Sequence, residues 1–263
     1  MKAHLVDWTP ERIKRFFDHY ESQAAVEDNY FGRQRGRAVL RFARGRAAAA
    51  GPALDVGCGP GFFLDHLLDA GIACAGADVS PASARRAVRR LSGRPGFMGA
   101  AALTDGVSLP FGSTSFRTAF LMETLEHIPP EKAGAVLREI RRVLEPGGLL
   151  VVTTPYKENL AAGALVCPFC GCSFHEVQHV ASFDEAGMDR AVLGNGFRTV
   201  VRAPALLLPD WGVWLRAQVR KSAWEPLCPE CGRTFPPPRR GRLAAFLKRV
   251  RELRHLVGIY AAV

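Results

Sequence analysis

Residues 54–61 read LDVGCGPG, and this stretch decides the fold class of the chain. An apolar run precedes the glycines and the amphipathic pattern FFLDHLLDAG follows them, which predicts a buried strand, a glycine turn and a helix. A dinucleotide-binding turn counted from Gly57 would need a small residue at position 62, where the chain has Phe62. It would also place the Asp55 carboxylate beside a pyrophosphate of like charge. The turn therefore favours a ligand that carries an ammonium group and no phosphate.

Outward from this turn, strand-like and helix-like segments alternate as far as residue 155. Strands that alternate with helices of ten or more residues predict an α/β fold, with a parallel sheet covered by helices on both faces. Two further strands are predicted at 196–203 and 256–263. A basic helix from 241 to about 253 is predicted between them.

Two other segments complete the predicted organisation. Helical spacing of apolar residues predicts a helical cap over residues 1–50, which precedes the main domain at 51–263. A further helix is predicted over 182–193, with Ser182 and Glu185 in the spacing of a capping box.

Acidic residues follow the second and third predicted strands as well as the first. Asp78 ends the second strand, 23 residues after Asp55, and is placed to accept hydrogen bonds from two ribose hydroxyls. Asp105 follows the third strand, where a carboxylate can accept a hydrogen bond from the amino group of adenine. S-adenosylmethionine offers the matching groups, because it has an adenosine, an amine and a cationic sulfonium but no phosphate.

In order and spacing, the chain resembles the class I S-adenosylmethionine-dependent methyltransferases across about residues 35–155. The motifs that carry the resemblance are LDVGCGPG, ADVS, TDGVSLPF, LMETLEHIP and EIRRVLEPGGLLVVTTP. The LMETLEH stretch is most similar to the ubiquinone-biosynthesis O-methyltransferases. The resemblance implies a Rossmann-like seven-stranded sheet, mostly parallel with the last strand antiparallel, and S-adenosylmethionine as cofactor.

The resemblance also implies that Arg37, Gly57, Asp78 and Met122 contact the cofactor. Together with the glycine turn and the acidic residues, the predicted cofactor-binding set is Arg37, Asp55, Gly57, Cys58, Gly59, Gly61, Asp78, Val79, Asp105 and Met122.

Three chemically active residues, Glu123, Glu126 and His127, follow the fourth predicted strand. His127 is the best candidate for the general base that a hydroxyl acceptor requires. In the ubiquinone methyltransferases and in small-RNA 2′-O-methyltransferases, a similar ExxEH arrangement holds a divalent ion. The resemblance therefore implies Mg²⁺ or Mn²⁺ at Glu123, Glu126 and His127, and His179 aligns with a family position near the active site. The alternative is a common turn in which Glu126 caps and His127 packs.

Paired cysteines in CPFC and CPEC predict a structural zinc site held by Cys167, Cys170, Cys228 and Cys231. A redox pair or a disulfide is the alternative. The resemblance places both cysteine loops at the cofactor edge of the sheet, so insertions at about 165–180 and 225–235 would form a small zinc-knot lid. Cys172 is left over, and His175 is an alternative ligand. Cys58 and Cys74 have the pattern of buried small apolar residues.

Charge and composition restrict the function only partly. The formal charge of +10 allows an acidic partner, but a solvated basic face explains it as well. No secretory signal and no membrane-length apolar stretch occurs, so we expect a cytoplasmic protein. The acceptor is expected to be a small or lipid-like molecule methylated at oxygen. Alternatives are an RNA methyltransferase that grips phosphates with the zinc knot and basic tail, and a non-catalytic cofactor-binding protein.

An apolar, aromatic stretch separates the two cysteine pairs. It comprises Leu206–Leu208, Trp211, Trp214 and Leu215. Part of it is expected to be core, and the rest is a candidate wall of a pocket for a hydrophobic or aromatic acceptor.

Overall fold

The computed structural model describes residues 3–103, 105–220, 224–237 and 254–263. The basic helix predicted from 241 to about 253 lies outside these described residues. The strands within them are β1 His4–Leu5, β2 Ala53–Val56, β3 Cys74–Asp78, β4 Phe97–Ala102, β5 Phe116–Met122, β6 Leu144–Pro155, β7 Ala164–Val166, β8 Cys172–His175, β9 Phe197–Leu206 and β10 Arg254–Ala262.

Seven α-helices lie between the strands of the described residues. They are α1 Pro10–Ser22, α2 Phe31–Arg44, α3 Phe62–Asp69, α4 Pro81–Leu91, α5 Pro130–Val143, α6 Glu185–Leu193 and α7 Trp211–Arg220, with 3₁₀ turns at Ala24–Asn29, Leu125–His127 and Leu160–Gly163. No helix in the described parts of the chain combines the length and the apolar character needed to cross a membrane.

Seven strands form the central sheet in the spatial order β4-β3-β2-β5-β6-β10-β9. The pairs β2–β3, β2–β5, β3–β4 and β5–β6 are parallel, whereas β10 is antiparallel to both β6 and β9. Apolar clusters cover both faces of this sheet. The predicted α/β class and the seven-stranded, mostly parallel sheet with an antiparallel last strand are therefore confirmed.

The carboxyl ends of the parallel strands share one edge of the sheet, and two later segments return to it. Pro155 at the end of β6 pairs with His255 at the start of β10. Leu206 at the end of β9 pairs with Arg254. The chain therefore leaves β6 and β9 at the same edge as the glycine turn.

A second, three-stranded sheet of order β1-β8-β7 lies beside this edge. It packs with Phe16 of α1 in a small apolar cluster that also contains the buried Cys167 and Cys228. The N-terminal segment is tied to the same region, because Arg15 donates a hydrogen bond to the carbonyl of Pro229.

The N-terminus of α6 differs from the sequence-based expectation. The helix begins at Glu185, and its N-cap is Asp184, whose side chain accepts a hydrogen bond from the Gly187 N–H at 2.7 Å. The predicted capping box of Ser182 and Glu185 is wrong. Aspartate is as good an N-cap as serine, and the helix starts two residues later than the box required.

Candidate functional site

A cavity of about 890 Å³ opens over the carboxyl edge of the central sheet. Its wall includes the glycine turn, the N-terminal helices and residues from the two cysteine-bearing segments. This volume lies near the upper end of the usual range for ligand pockets, about 300–1,000 Å³.

The glycine turn has a backbone that only glycine adopts easily. Gly57 has φ +80°, and a Cβ at this position would lie 2.3 Å from Oγ1 of Thr124. Gly59 has φ +51°, and a Cβ there would lie 3.2 Å from the ring of Tyr30. The absence of side chains therefore allows both the turn and the close approach of its neighbours.

Asp55 is a buried carboxylate on the cavity wall. It is 2% exposed, and its Oδ1 has no hydrogen-bond partner among the described residues. Burial, with a smaller contribution from the charge of Asp78, raises the pKa of Asp55 to about 8. A cation beside this carboxylate would compensate its desolvation, so the site suits an ammonium or sulfonium ligand.

Asp78 is held in place by two backbone donors. The Gly59 N–H donates to its Oδ2 and the Ser80 N–H donates to its Oδ1, each at 2.8 Å. Burial raises the pKa of Asp78 to about 6, although these two hydrogen bonds oppose the shift. A carboxylate oxygen has a further lone pair, so both oxygens of this rigid group can still accept a diol.

Asp105 also lies on the cavity wall, but its carboxylate is already engaged. Oδ1 accepts the N–H groups of Val107 and Ser108 at 2.9 and 2.8 Å, and Oδ2 accepts the Ser108 hydroxyl at 2.6 Å. These hydrogen bonds lower the pKa of Asp105 to about 2. The Asp105 side chain stabilises the turn at residues 105–108. A hydrogen bond to adenine would come in addition to these three.

The remaining cofactor predictions fall into two groups. Cys58, Val79 and Met122 line the cavity. Gly61 and Arg37 are not on its wall: Gly61 precedes α3 with φ +82°, and Arg37 is exposed.

Arg35, two residues before Arg37 on α2, is a cavity residue that the sequence analysis missed. It is buried, lines the cavity and donates from Nε to the Leu207 carbonyl at 3.1 Å. The periodicity of α2 would have identified it, because residue 35 is on the same helical face as Val39.

An imidazole–carboxylate cluster lies beyond the end of β5. Glu126, His127 and His179 each have one potential ligand atom, and these three atoms lie within 4.8 Å of one another. Glu126 is fully buried, and neither of its carboxylate oxygens has a hydrogen-bond partner among the described residues. Burial, together with the charges of Glu123 and Glu158, raises the pKa of Glu126 well above its usual range.

The imidazole of His127 is neutral and fixed in one tautomer. Burial first, and then the charge of His179, hold the pKa of His127 well below its usual range. Its Nδ1 lies 3.3 Å from the carbonyl oxygen of Gln178, which can only accept, so Nδ1 carries the proton. The Nε2 lone pair of His127 is therefore available. His179 Nε2 lies 4.0 Å from Glu126 Oε1.

Glu123 is not one of these three residues, and its carboxylate contacts a residue that the sequence analysis missed. Its Oε1 is 3.3 Å from Nδ1 of His255, and both residues line the cavity. Glu123 has φ +45°, an uncommon conformation that turns the chain directly after β5. His255 lies 132 positions after Glu123 in the chain, and the pairing of β10 with β6 brings it here.

The four cysteines of the two CPxC segments converge. Sγ of Cys167 lies 3.7 Å from Sγ of Cys231, and Sγ of Cys170 lies 3.6 Å from Sγ of Cys228. Four sulfurs at about 2.3 Å from a tetrahedral zinc lie about 3.8 Å apart, so the spacing fits zinc. Burial opposes ionisation of Cys167, but backbone N–H groups outweigh it and lower the pKa of this thiol to about 7.

The two other residues considered as zinc ligands lie outside this group of four. Cys172 is buried at the start of β8, where burial and Glu230 raise the pKa of its thiol to about 12. His175, at the other end of β8, belongs to a cluster with Glu158 and His179.

The apolar stretch between the cysteine pairs divides between cavity, core and surface. Trp214 lines the cavity and Leu207 is buried. Four others of this stretch are exposed: Leu206, Leu208, Trp211 and Leu215.

Comparison with known proteins finds methyltransferases similar to this chain. Residues 54–152 match the family model described as a methyltransferase domain. An uncharacterized methyltransferase of Mycobacterium tuberculosis is 37% identical over 101 residues, which cover 38% of this chain and 37% of that protein. The chloroplastic tocopherol O-methyltransferase of Arabidopsis thaliana is 36% identical over 116 residues, covering 42% of this chain and 32% of that protein. The chain thus spans about a third of the length of these relatives.

A solved structure extends the fold comparison to nearly the whole chain. It belongs to a complex between the Haloferax volcanii Trm112 methyltransferase activator and a methyltransferase, with a TM-score of 0.61 and 23% identity. The match covers 95% of this chain and 97% of that one. At this identity the match shows the fold.

Proposed function

We infer that this chain, whose residues 54–152 form a methyltransferase domain, is an S-adenosylmethionine-dependent methyltransferase that acts at an oxygen atom of a small or lipid-like acceptor. The observation that carries the inference is the pair of buried carboxylates at the glycine turn. Asp55 has an oxygen without a hydrogen-bond partner among the described residues, and Asp78 is held rigid by two N–H donors. Both line the same large cavity.

These residues match the charge and shape of the cofactor group by group. Asp55 would accept hydrogen bonds from the ammonium group of the methionine part, and Asp78 would accept hydrogen bonds from the two ribose hydroxyls. Gly57 and Gly59 would let the cofactor lie against the backbone. Because methyl transfer from a sulfonium is an in-line displacement, the main task of the chain is to align acceptor oxygen, methyl carbon and sulfur.

Methylation at oxygen is supported by the cluster of Glu126, His127 and His179, of which the two histidines line the cavity. Neither oxygen of the buried Glu126 carboxylate has a hydrogen-bond partner within the described ranges, and the proton of His127 on Nδ1 leaves a lone pair on Nε2. With His179 they form a donor set of two imidazoles and one carboxylate, which suits Mn²⁺ better than Mg²⁺. A divalent cation bound there would lower the pKa of an acceptor hydroxyl.

The chain's own residues supply the rest of the activation. His127 Nε2 can either ligate a cation or accept the proton of the acceptor, and the unpartnered Glu126 carboxylate beside it favours ligation. Glu123, which lies with His255, is not part of this donor set. The relative with a named acceptor methylates tocopherol at oxygen, which is consistent with a lipid-like phenol.

A panel of acceptors and S-adenosylmethionine labelled at the methyl group tests this proposal. The panel contains prenylated phenols, small catechols, amines and a mixed RNA. We expect label in the phenol or catechol products with wild-type protein and a strong loss with Glu126→Gln. Label only in amines or in RNA would contradict methylation at oxygen of a small molecule. Failure to bind the cofactor would contradict the whole proposal.

A further inference from the structure

We propose that Glu158 and His175 are positioning residues for the Glu126–His127–His179 cluster. They fix the imidazole of His179 in the tautomer whose Nε2 lone pair faces Glu126. The inference deepens the proposed function and rests on it, since it concerns the cation site within the same cavity. Nothing in the local motifs around these two residues assigns them this part.

Glu158 contacts His179 through one of its carboxylate oxygens. Nδ1 of His179 lies within hydrogen-bond distance of Oε2 of Glu158. A carboxylate oxygen accepts, so Nδ1–H donates and the remaining lone pair of His179 is on Nε2. That atom lies 4.0 Å from Oε1 of Glu126. A carboxylate that receives the outer N–H of a ligating histidine fixes the ring and increases the basicity of the ligating nitrogen.

The His175 side chain is buried, with 8% exposure, and its neighbours decide which ring nitrogen carries the proton. The backbone N–H of His179 donates to Nδ1 of His175 at 3.2 Å, and the N–H of Val177 approaches the same atom at 3.5 Å. Because Nδ1 is an acceptor, the proton of the neutral ring is on Nε2. This Nε2 lies 3.7 Å from Oε1 of Glu158.

The arrangement places one carboxylate between two imidazole N–H groups. Each oxygen of Glu158 faces a different histidine, and the two rings are stacked with centroids 4.8 Å apart and planes 12° apart. Glu158 therefore hydrogen-bonds His179 through one oxygen, while its other oxygen faces the N–H of His175 across a longer electrostatic contact of 3.7 Å.

The same geometry argues against a second metal site at Glu158, His175 and His179, although their ligand atoms lie close together. To ligate through Nε2, His175 would have to move its proton to Nδ1. That atom already receives the N–H of His179. Two donors would then face each other in a buried position, which is costly. The three residues form an orienting network instead.

Gly163 makes room for this network. A Cβ at Gly163 would lie 1.9 Å from Nε2 of His175 and 2.5 Å from its Cδ2, so any side chain would displace the ring. Gly163 is also anchored, because its carbonyl accepts the N–H of Glu176 at 2.8 Å. A methyl group here would disturb the network without removing a polar atom.

The network is also joined to the cysteine site. His175 ends β8, Cys172 begins it, and β8 pairs with β7 through Ala164 and His175. The β7–β8 hairpin holds Cys167 and Cys170 in its loop. The β7–β8 hairpin therefore carries both the cysteines and His175 of the orienting network.

Binding of Mn²⁺ alone to the purified, zinc-containing protein tests the inference by calorimetry and by electron paramagnetic resonance. We expect wild type to bind one Mn²⁺. Glu158→Gln should weaken binding by about 10- to 100-fold, because an amide offers one acceptor where two imidazole N–H groups require two. Gly163→Ala should weaken it to a similar extent. Glu131→Gln, which removes an exposed carboxylate of α5, is the matched control and should bind as wild type does.

Affinity for S-adenosylmethionine and the thermal unfolding midpoint are measured for each variant, so that misfolding is recognised. Wild-type Mn²⁺ affinity in Glu158→Gln or in a folded Gly163→Ala would overturn the inference. So would wild-type protein that binds S-adenosylmethionine but no Mn²⁺, and in that case the methyltransferase proposal would stand. Histidine-selective ¹⁵N NMR gives a second readout without metal. We expect the Nδ1–H tautomer of His179 in wild type and a mixture of tautomers in Glu158→Gln, whereas an Nε2–H tautomer in wild type would overturn the inference.

Discussion

The two sides of the cavity are built in different ways. The glycine-turn side takes Asp55, Gly57 and Asp78 from two adjacent parallel strands and the turns that follow them. The second side, which adjoins the cysteine-bearing hairpin and is called the cysteine side, takes His127, Glu158 and His179 from separate turns and loops, together with His255 from the last strand. The first side depends on the parallel sheet, whereas the second depends in addition on the β7–β8 hairpin and on four cysteines. Damage to one side should therefore leave much of the other intact.

Removal of a zinc ligand is expected to have the largest effect. Cys228→Ser should abolish binding of about one zinc per chain and destabilise the cysteine side by several kcal/mol, because structural zinc contributes directly to folding. Cofactor affinity should change much less. Metal analysis and thermal unfolding measure both effects. Cys172→Ser is the matched control, since Cys172 is buried nearby but outside the group of four, and it should keep the zinc. Loss of zinc in the control alone would reverse the ligand assignment.

Replacement of His127 is expected to affect turnover next most strongly. His127→Ala should lower the rate of methyl transfer by about 10²- to 10⁴-fold, the usual contribution of a residue that activates an acceptor. Cofactor affinity should not fall, because Asp55 and Asp78, the carboxylates proposed to bind the cofactor, lie on the other side. Single-turnover kinetics together with calorimetry separate the two quantities. Full activity of His127→Ala would show that His127 takes no part in methyl transfer.

The pH dependence of cofactor binding separates the two sides in another way. Asp55 has a pKa raised to about 8, so below that pH it must lose a proton before it can pair with an ammonium. Affinity should therefore fall as the pH is lowered from about 7.5 to 6, by up to tenfold per unit. Above about 8 the amine of the ligand begins to lose its own proton. Asp55→Asn should bind weakly with a flatter profile, and an unchanged slope in this variant would show that another group titrates.

The smallest effect is expected at the start of α6, away from both sides. Asp184→Ala should destabilise the protein by about 1 kcal/mol through loss of the N-cap hydrogen bond to Gly187. Ser182→Ala should have less effect, because Ser182 does not cap the helix. Chemical denaturation measures both, and a larger cost for Ser182→Ala would restore the capping box.

The difference between the two sides also explains how far the sequence could be interpreted. Local motifs predicted the alternating fold, the glycine turn and Asp78, because each depends on residues that are close in the chain. The pairing of Glu123 with His255 depends on how β10 enters the sheet, and no local pattern contains it. Likewise, the contact between Glu158 and His179 spans 21 positions and depends on the fold of the hairpin. Arg35 lines the cavity whereas Arg37 of the same helix is exposed, so which face of α2 meets the cavity also depends on packing that no local motif contains.

Calorimetric titration of S-adenosylmethionine into wild-type protein and into Asp78→Ala tests the central claim most directly. Wild type should bind one equivalent, and Asp78→Ala should lose about 100-fold or more in affinity, since two hydrogen bonds to a charged group contribute about 1.5–3 kcal/mol each. The variant should retain its zinc and its fold. Equal affinity in the two proteins, or no binding to wild type, would contradict the claim that the glycine-turn side is a cofactor site.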